Sequence, residues 1–152
     1  MKENMSIMKN EGENGYGSML LSIKVEDGNK GAMSLLQESD LRYLVDIVWA
    51  RKSAISGTRN LEDLTLTKWD IHEPLAPWNC ILLTKQEAMS HQAQKSYSVY
   101  SVEFKTRIFQ KLVLARQHFG KLPLMEQYFN EQNEKAAEDQ VHGLVANHSL
   151  VV

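Results

Sequence analysis

The single cysteine, Cys80, lies close in sequence to groups that could activate a thiol. His72 and His91 are candidate bases, and Asp70 is a carboxylate that could orient an imidazole. A cysteine nucleophile needs such a neighbour to lower its pKa. However, Cys80 opens the apolar run Cys-Ile-Leu-Leu, and an unpaired cysteine usually behaves as a small buried hydrophobe. We therefore favour a core position for Cys80, with a small cysteine-dependent enzyme as the alternative.

The same region contains residue types that bind zinc. They are His72, Glu73, Cys80 and His91. Their spacing matches no pattern with pre-organised geometry, and one cysteine cannot form a Cys-x-x-Cys pair. The sequence also lacks the phosphate-binding, zinc-protease, serine-hydrolase and EF-hand patterns. The other histidines, His118, His142 and His148, are expected in solvent. We predict a protein that is not an enzyme, with no metal, no cofactor and no small-molecule substrate.

Length and composition indicate one ordinary domain. The chain has 152 residues, of which 43% are apolar and 24% are charged, and its net charge is −2. A near-neutral charge gives no field to attract nucleic acid, and the apolar runs are too short to span a membrane. One cysteine fits a reducing compartment. We therefore expect a cytoplasmic protein that binds neither nucleic acid nor membrane.

The distribution of polar and apolar residues predicts three regions. Residues 1–18 have no periodic apolar face and are predicted to be a disordered leader. Residues 19–129 are predicted to form a single α+β domain, a short strand pair packed by three or four helices, in which residues 19–26 are a short strand. Residues 130–152 lack caps and sustained periodicity and are predicted to be a poorly ordered tail.

The clearest element is a helix predicted over residues 40–54. Ser39 is expected to be its N-cap, Asp40 favours its first turn, and Gly57 is a plausible stop. Five apolar residues follow the spacing of one buried helical face. They are Leu41, Leu44, Val45, Val48 and Trp49.

Two strands and two helices are predicted to follow. Residues 63–69 alternate in polarity and residues 80–84 form a short apolar run, so both favour strands that could pair across the intervening loop. Thr84 and Glu87 form a capping box that predicts a helix to about residue 94. A longer helix is predicted over 99–119, and both helices should close over the sheet. A short helical turn is predicted over 124–129.

The apolar face of the longer helix is predicted from its spacing. We expect Val102, Ile108, Phe109, Leu112, Val113 and Phe119 to pack inward. Its exposed face should carry the basic residues Lys105, Arg107, Lys111 and Arg116. A basic helix with an apolar stripe is also a possible calmodulin or partner-helix ligand, although a solvated face is the favoured interpretation.

The loop after the first strand combines two indoles and two prolines. Trp69 and Trp78 either anchor this loop in the core or form a contact surface with Pro74 and Pro77. We favour inward packing of the indoles, and we take the loop as one candidate partner-binding surface. The second candidate is the basic face of the longer helix, with Lys105, Lys111 and Arg116.

Residues 43–91 resemble the C-terminal region of the IQ motif and ubiquitin-like domain-containing proteins of motile cilia. The resemblance is carried by the Trp49 helix with Ser-Ala-Ile-Ser after it, by Leu-Thr-Leu-Thr-Lys-Trp-Asp, and above all by Pro-Trp-Asn-Cys-Ile-Leu-Leu-Thr-Lys-Gln-Glu-Ala-Met-Ser-His. It implies a non-catalytic adaptor in the axoneme of cilia and sperm flagella, which helps to anchor a radial spoke to the doublet microtubule. The implied partners are axonemal or radial-spoke proteins.

The chain departs from this family pattern in two ways. It has no ubiquitin-like domain, and the segment beginning at Phe109 and Gln110 lacks the arginine and glycine of an intact IQ motif. Calmodulin is therefore a candidate partner without its usual motif. The unlike ends of the chain suggest a truncated or alternatively spliced relative. The sequence does not identify the direct partner or the oligomeric state.

Overall fold

The computed structural model describes residues 15–26, 28, 31–94 and 96–128. These residues contain four α-helices and two strands, together with a π-helical segment and short 3-10 turns. Helix α1 is Tyr16–Glu26, α2 is Glu38–Arg42, β1 is Leu64–Thr67, β2 is Ile81–Thr84, α3 is Lys85–Gln92 and α4 is Val102–Phe119. The predicted α+β class is confirmed. Within the described residues, none of the helices is long and apolar enough to cross a membrane.

Helix α1 replaces the strand that we predicted for residues 19–26. Tyr16, Met19 and Ile23 are buried on one face of it, and the spacing of three and four residues explains the helix. The Tyr16 hydroxyl donates a hydrogen bond to the Asp46 carboxylate. Burial and this carboxylate raise the pKa of Tyr16 to about 12. The helix begins inside the segment predicted as a leader, whose first fourteen residues lie outside the described part.

Helix α2 starts and ends earlier than predicted. Its N-cap is Gln37, whose backbone N–H donates to the Asp40 carboxylate at 2.9 Å, so Ser39 already lies inside the helix. It continues as a π-helical segment over Tyr43–Val48. The five apolar residues predicted for its inner face are all buried. The predicted stop, Gly57, lies well beyond the helix, in a separate turn with φ of 75°.

The two strands pair in antiparallel fashion, with Leu64 opposite Thr84 and Thr67 opposite Ile81. This confirms the predicted pairing, although each strand is shorter than predicted. All but one of the side chains of β2 are buried, as expected for a continuous apolar run. The turn after the π-helical segment is hydrogen-bonded to β2, because the Ala54 backbone N–H donates to the Leu82 carbonyl at 2.9 Å.

Helix α3 begins with the predicted capping box. The Glu87 backbone N–H donates to the Thr84 hydroxyl at 3.1 Å, and the Thr84 N–H donates to the Glu87 carboxylate at 2.8 Å. Helix α3 packs on both strands, whereas α4 packs mainly on the π-helical segment Tyr43–Val48. Our expectation that both helices cover the sheet is therefore wrong for α4.

The last described elements lie close to their predicted positions, although α4 begins at Val102, three residues later than predicted. Helix α4 is capped by the Ser101 hydroxyl, which accepts from the Phe104 N–H at 3.1 Å, and it ends at Phe119 with Gly120 as its C-cap. A short 3-10 turn over Pro123–Met125 follows and buries Met125. The predicted tail, residues 130–152, lies outside the described residues, and the predicted single domain over 19–129 stays a prediction.

Candidate partner-binding surfaces

The loop between the two strands is organised by Asn79, a buried residue that sequence reasoning did not single out. Its side-chain oxygen accepts from the Asp70 backbone N–H at 2.8 Å. Its side-chain nitrogen donates to the carbonyls of Asp70 at 3.1 Å and Pro74 at 3.0 Å. The side-chain amide of Asn79 thus provides the hydrogen-bond partners that a neighbouring strand would otherwise provide for this backbone. Nothing in the sequence distinguishes this asparagine from others in turns.

This loop holds most of its predicted contact residues away from solvent. Trp78 is 8% exposed and Pro77 is buried, whereas Trp69 is half-buried and only Pro74 is exposed. Inward packing of Trp78 agrees with our favoured interpretation. Trp78 and Pro77 therefore offer little surface to a partner, and the accessible part of the predicted contact surface around the loop is Pro74 together with the exposed part of Trp69. That binding role stays a prediction.

Trp69 lies in a stack of aromatic rings. Its indole is parallel to Tyr97 at 4.8 Å between centroids and to His91 at 5.3 Å, and it also contacts Tyr100 and Phe104. Offset stacking at these distances adds to the burial of the rings. The stack joins the loop to α3 and α4, so it explains why a half-exposed tryptophan is fixed.

His91 has both ring nitrogens occupied within this stack. Nε2 lies 2.9 Å from the Trp69 carbonyl, which can only accept, so Nε2 carries the proton. Nδ1 therefore accepts from the Tyr100 hydroxyl at 2.7 Å. The Trp69 carbonyl also accepts from the Tyr97 hydroxyl at 2.8 Å. A histidine held in this way connects α3 to the loop and has no free nitrogen for a metal.

Cys80 occupies the core position that we favoured. Its side chain is fully buried and its thiol donates to the Pro77 carbonyl at 3.5 Å. Burial raises the pKa of the Cys80 thiol, which is the opposite of what a nucleophile needs. His91 is already committed, and His72 is exposed. The geometry therefore gives no support to the cysteine-enzyme alternative.

The residues of the hypothetical zinc set are not brought together. Within the described part of the chain, no three histidine, cysteine, aspartate or glutamate side chains lie close enough to hold a metal ion. His72 and Glu73 instead line a wide cavity of about 680 Å³ beside the strand loop. His118, expected in solvent, stacks on Tyr43 at 3.6 Å between ring centroids. His142 and His148 lie outside the described residues.

Helix α4 buries only part of the predicted set. Ile108 and Phe119 are buried as predicted, and Leu112 is partly buried against the core. Phe104, Ile108, Ala115 and Phe119 pack inward. Val102, Phe109 and Val113 are 70%, 65% and 37% exposed, so their predicted burial is wrong. These three residues lie within roughly 40° of arc on the solvent-facing side of α4, at 3.6 residues per turn. We call them the α4 stripe.

The basic residues of α4 do not form one face. At 3.6 residues per turn, Lys105 and Arg116 border the α4 stripe, whereas Lys111 and Arg107 flank the buried face on its other side. Lys111 and Arg107 line a second cavity, next to Trp49. The three predicted residues Lys105, Lys111 and Arg116 therefore belong to two separate surfaces.

Similar proteins include one from mouse and two from yeast. The chain is 34% identical over 116 residues, 76% of its length, to the IQ motif and ubiquitin-like domain-containing protein of Mus musculus. It is 45% identical over 53 residues, 35% of its length, to tRNA threonylcarbamoyladenosine dehydratase 2 of Saccharomyces cerevisiae. It is 34% identical over 92 residues, 55% of its length, to dehydratase 1 of the same yeast. No protein-family model matches the chain.

The matched part is a small portion of each of these proteins. The chain spans 14% of the mouse protein, and 11% and 21% of yeast dehydratases 2 and 1. The resemblance inferred from residues 43–91 is confirmed by the mouse match, which extends over three quarters of the chain. The chain is thus a relative of the IQ motif and ubiquitin-like domain-containing proteins.

Proposed function

We propose that this chain is a non-catalytic protein-interaction module that binds a protein partner through the α4 stripe. The observation that carries the proposal is the exposure of Val102, Phe109 and Val113 on the side of α4 away from the core. Apolar side chains grouped on an exposed helical face mark protein contact sites. Lys105 and Arg116 border this stripe and would form the polar rim of such an interface.

The relationship to larger proteins supports a modular role. The similar segment makes up between 11% and 21% of relatives whose names describe different proteins. A segment of this kind is more consistent with an accessory binding unit than with the centre of one reaction. The buried thiol of Cys80 and the engaged ring of His91 agree with this view.

We further propose that the partner is an axonemal or radial-spoke protein and that the chain acts in the axoneme of motile cilia or flagella. The support for this location is the relationship to the IQ motif and ubiquitin-like domain-containing proteins. In this role the chain would be a cytoplasmic structural adaptor. Calmodulin is a second candidate partner, which would have to bind without an intact IQ motif.

Proximity labelling in ciliated cells tests the proposal. The whole chain is fused to a biotin ligase and compared with a Phe109→Ala variant. Met89→Ala is the matched control, because Met89 is also exposed, at 73%, but lies on α3. The wild-type and Met89→Ala proteins should label axonemal proteins equally, and Phe109→Ala should reduce that labelling at least fivefold.

Two results would contradict the proposal. A set of purely metabolic neighbours would reject the axonemal role. Equal labelling by all three proteins would reject the α4 stripe as the contact surface. A pull-down with purified calmodulin, with and without Ca²⁺, would separate that partner from the axonemal proteins.

A further inference from the structure

A small cavity lies beside Trp49, where the chain leaves the π-helical segment and passes α4. Its volume is about 110 Å³, and its lining combines apolar and cationic side chains. The cationic ones are Lys52, Arg107 and Lys111, and the apolar ones include Trp49 and Ile108. The cavity is separate from the α4 stripe and from the loop between the strands.

Trp49 has a buried hydrogen-bond donor, its indole N–H, that lacks a partner among the residues that the structure describes. Its side chain is 4% exposed, and its indole N–H has no hydrogen-bond partner within the described residues. Every other buried side-chain nitrogen or oxygen of the described residues has such a partner. A buried donor without an acceptor is destabilising, so in a native fold it calls for an explanation. An acceptor that arrives with a ligand would supply one.

The backbone around Trp49 is also unusual. Trp49 ends the π-helical segment, and the next two residues, Ala50 and Arg51, have φ of 56° and 54°. Neither is glycine, so both occupy the left-handed region at a cost. π-Helical segments and such strained residues are frequent at functional sites. The turn is held by the Arg51 N–H, which donates to the Val45 carbonyl at 2.8 Å.

All the charged side chains that line the cavity are positive. Arg107 and Lys111 are four residues apart on α4 and so lie on the same face. Neither has an ion-pair partner among the described residues, and no described carboxylate lines the cavity. The nearby Glu87 is engaged by Ser53 at 2.5 Å and by the Thr84 N–H. The cavity is therefore lined by Trp49, whose indole donor has no partner among the described residues, and by cations without an ion-pair partner.

We infer that this cavity binds a carboxylate side chain from an acidic segment of a protein partner. The Trp49 indole donates a hydrogen bond to the carboxylate, and Arg107 and Lys111 form ion pairs with it. Guanidinium groups suit carboxylates because two N–H groups can donate in parallel. The volume suits a single side chain and is well below the roughly 300 Å³ of the smallest typical small-molecule pockets.

The inference rests on the proposed protein-interaction function, since it specifies the chemistry of a partner. It adds a second contact on the opposite flank of α4 from Lys105 and Arg116. A partner with an acidic segment could use both surfaces or this one alone. The test below uses purified protein, so its failure leaves the effect of Phe109→Ala in cells unchanged.

The experiment follows the indole N–H signals of the full chain by ¹H–¹⁵N correlation NMR during titration with capped hexaglutamate. The chain has three tryptophans, and Trp49→Phe assigns the Trp49 signal by removing it. We expect the Trp49 signal to shift downfield and to saturate, because its proton gains a charged acceptor. The signals of Trp69 and Trp78 should stay in place.

Paired charge variants separate the site from general electrostatics. Arg107→Gln with Lys111→Gln should raise the Kd for hexaglutamate at least tenfold. Lys85→Gln with Lys121→Gln removes the same charge from exposed positions away from the cavity and the α4 stripe and should change the Kd less than twofold. The dispersion of the same spectra verifies that each variant is folded.

Four results would overturn the inference. One is a Trp49 signal that does not move during the titration, and another is equal weakening of binding by both variant pairs. Inorganic phosphate that shifts the signal at lower concentration than hexaglutamate would assign the cavity to phosphate. A long-lived water contact of the indole N–H that persists with hexaglutamate would show that water is the acceptor.

Discussion

Two tryptophans of this chain lie in contrasting surroundings. Trp69 is half-buried, yet its ring is stacked and its carbonyl accepts two hydrogen bonds, from His91 and Tyr97. Trp49 is almost fully buried, yet its indole N–H has no partner in the described part of the chain. Regular antiparallel strand leads to Trp69, whereas a π-helical segment and two left-handed residues surround Trp49.

The comparison shows that burial alone does not separate structural from functional residues. The polar groups of His91, Tyr97 and Tyr100 around Trp69 are all hydrogen-bonded, to one another or to the Trp69 carbonyl. The surroundings of Trp49 combine an unsatisfied donor, strain and uncompensated cations. Such local conflicts are expected at functional sites and are otherwise selected against. The contacts around Trp69 therefore stabilise the fold, whereas the surroundings of Trp49 are those for which we propose a ligand.

Trp69→Ala should cause the largest loss of stability. We expect the free energy of unfolding to fall by about 3 kcal/mol, the lower end for aromatic-to-alanine changes in a core, because Trp69 is only half-buried. Urea unfolding followed by far-UV circular dichroism measures this. Phe109→Ala is the control and should cost less than about 0.5 kcal/mol, because Phe109 is exposed. Equal losses in both variants would mean that the α4 stripe also belongs to the core.

Ser53→Ala should lower the free energy of unfolding by an intermediate amount that depends on pH. Burial raises the pKa of Glu87, but hydrogen bonds from Ser53 and the Thr84 backbone outweigh it, so the pKa lies below its usual range. The stability from ionised Glu87 is present above the unfolded value of about 4.3 and is lost as pH falls through the lower folded value. Without the Ser53 hydroxyl, we expect a loss of about 1 kcal/mol at neutral pH.

The same variant should show a smaller further loss of stability below about pH 4, because the folded pKa of Glu87 moves toward the unfolded one. Urea unfolding between neutral and acidic pH, with a ¹³C titration of the Glu87 carboxyl group, measures both effects. Ser90→Ala, at an exposed position of α3, is the control and should leave both unchanged. An unaltered pH profile in Ser53→Ala would show that Ser53 does not stabilise the ionised carboxylate.

Ala50→Gly should change the free energy of unfolding least, and it should raise it, whereas the other variants lower it. Glycine relieves the left-handed strain but loses more backbone entropy on folding, so we expect a gain of roughly 0.5 kcal/mol. Ala88→Gly, inside α3, should instead lose about 1 kcal/mol. Urea unfolding of the two variants gives the comparison. Losses of equal size would mean that the turn after Trp49 is not strained.

Local signals allowed much of the fold to be predicted. The capping box of Thr84 and Glu87 placed α3, and the apolar run from Cys80 placed β2, because neighbouring residues decide these features. The core position of Cys80 was predicted from its residue type and from the apolar residues that follow it. Helix α1 was missed because its buried residues, Tyr16, Met19 and Ile23, lie among further apolar residues that obscure the helical period.

The candidate sites were harder to predict because they depend on which neighbours cover each residue. Helix α4 has apolar residues on two sides, so its sequence supports either Phe109 or Phe104 as the inward position. The aromatic stack on Trp69 makes Phe104 the inward one. To predict the cavity beside Trp49 from the sequence, one would have to know that α4 passes close to the turn after the π-helical segment.

The sequence by itself determined where most helices and strands lie, the family relationship and the apolar character of the core. These properties depend on short-range patterns of side-chain type and backbone preference. Only the tertiary structure decided that Val102, Phe109 and Val113 face outward, that the basic residues of α4 divide between two surfaces, and that the Trp49 indole lacks an acceptor. Those outcomes depend on contacts between residues far apart in the chain, which no local pattern specifies.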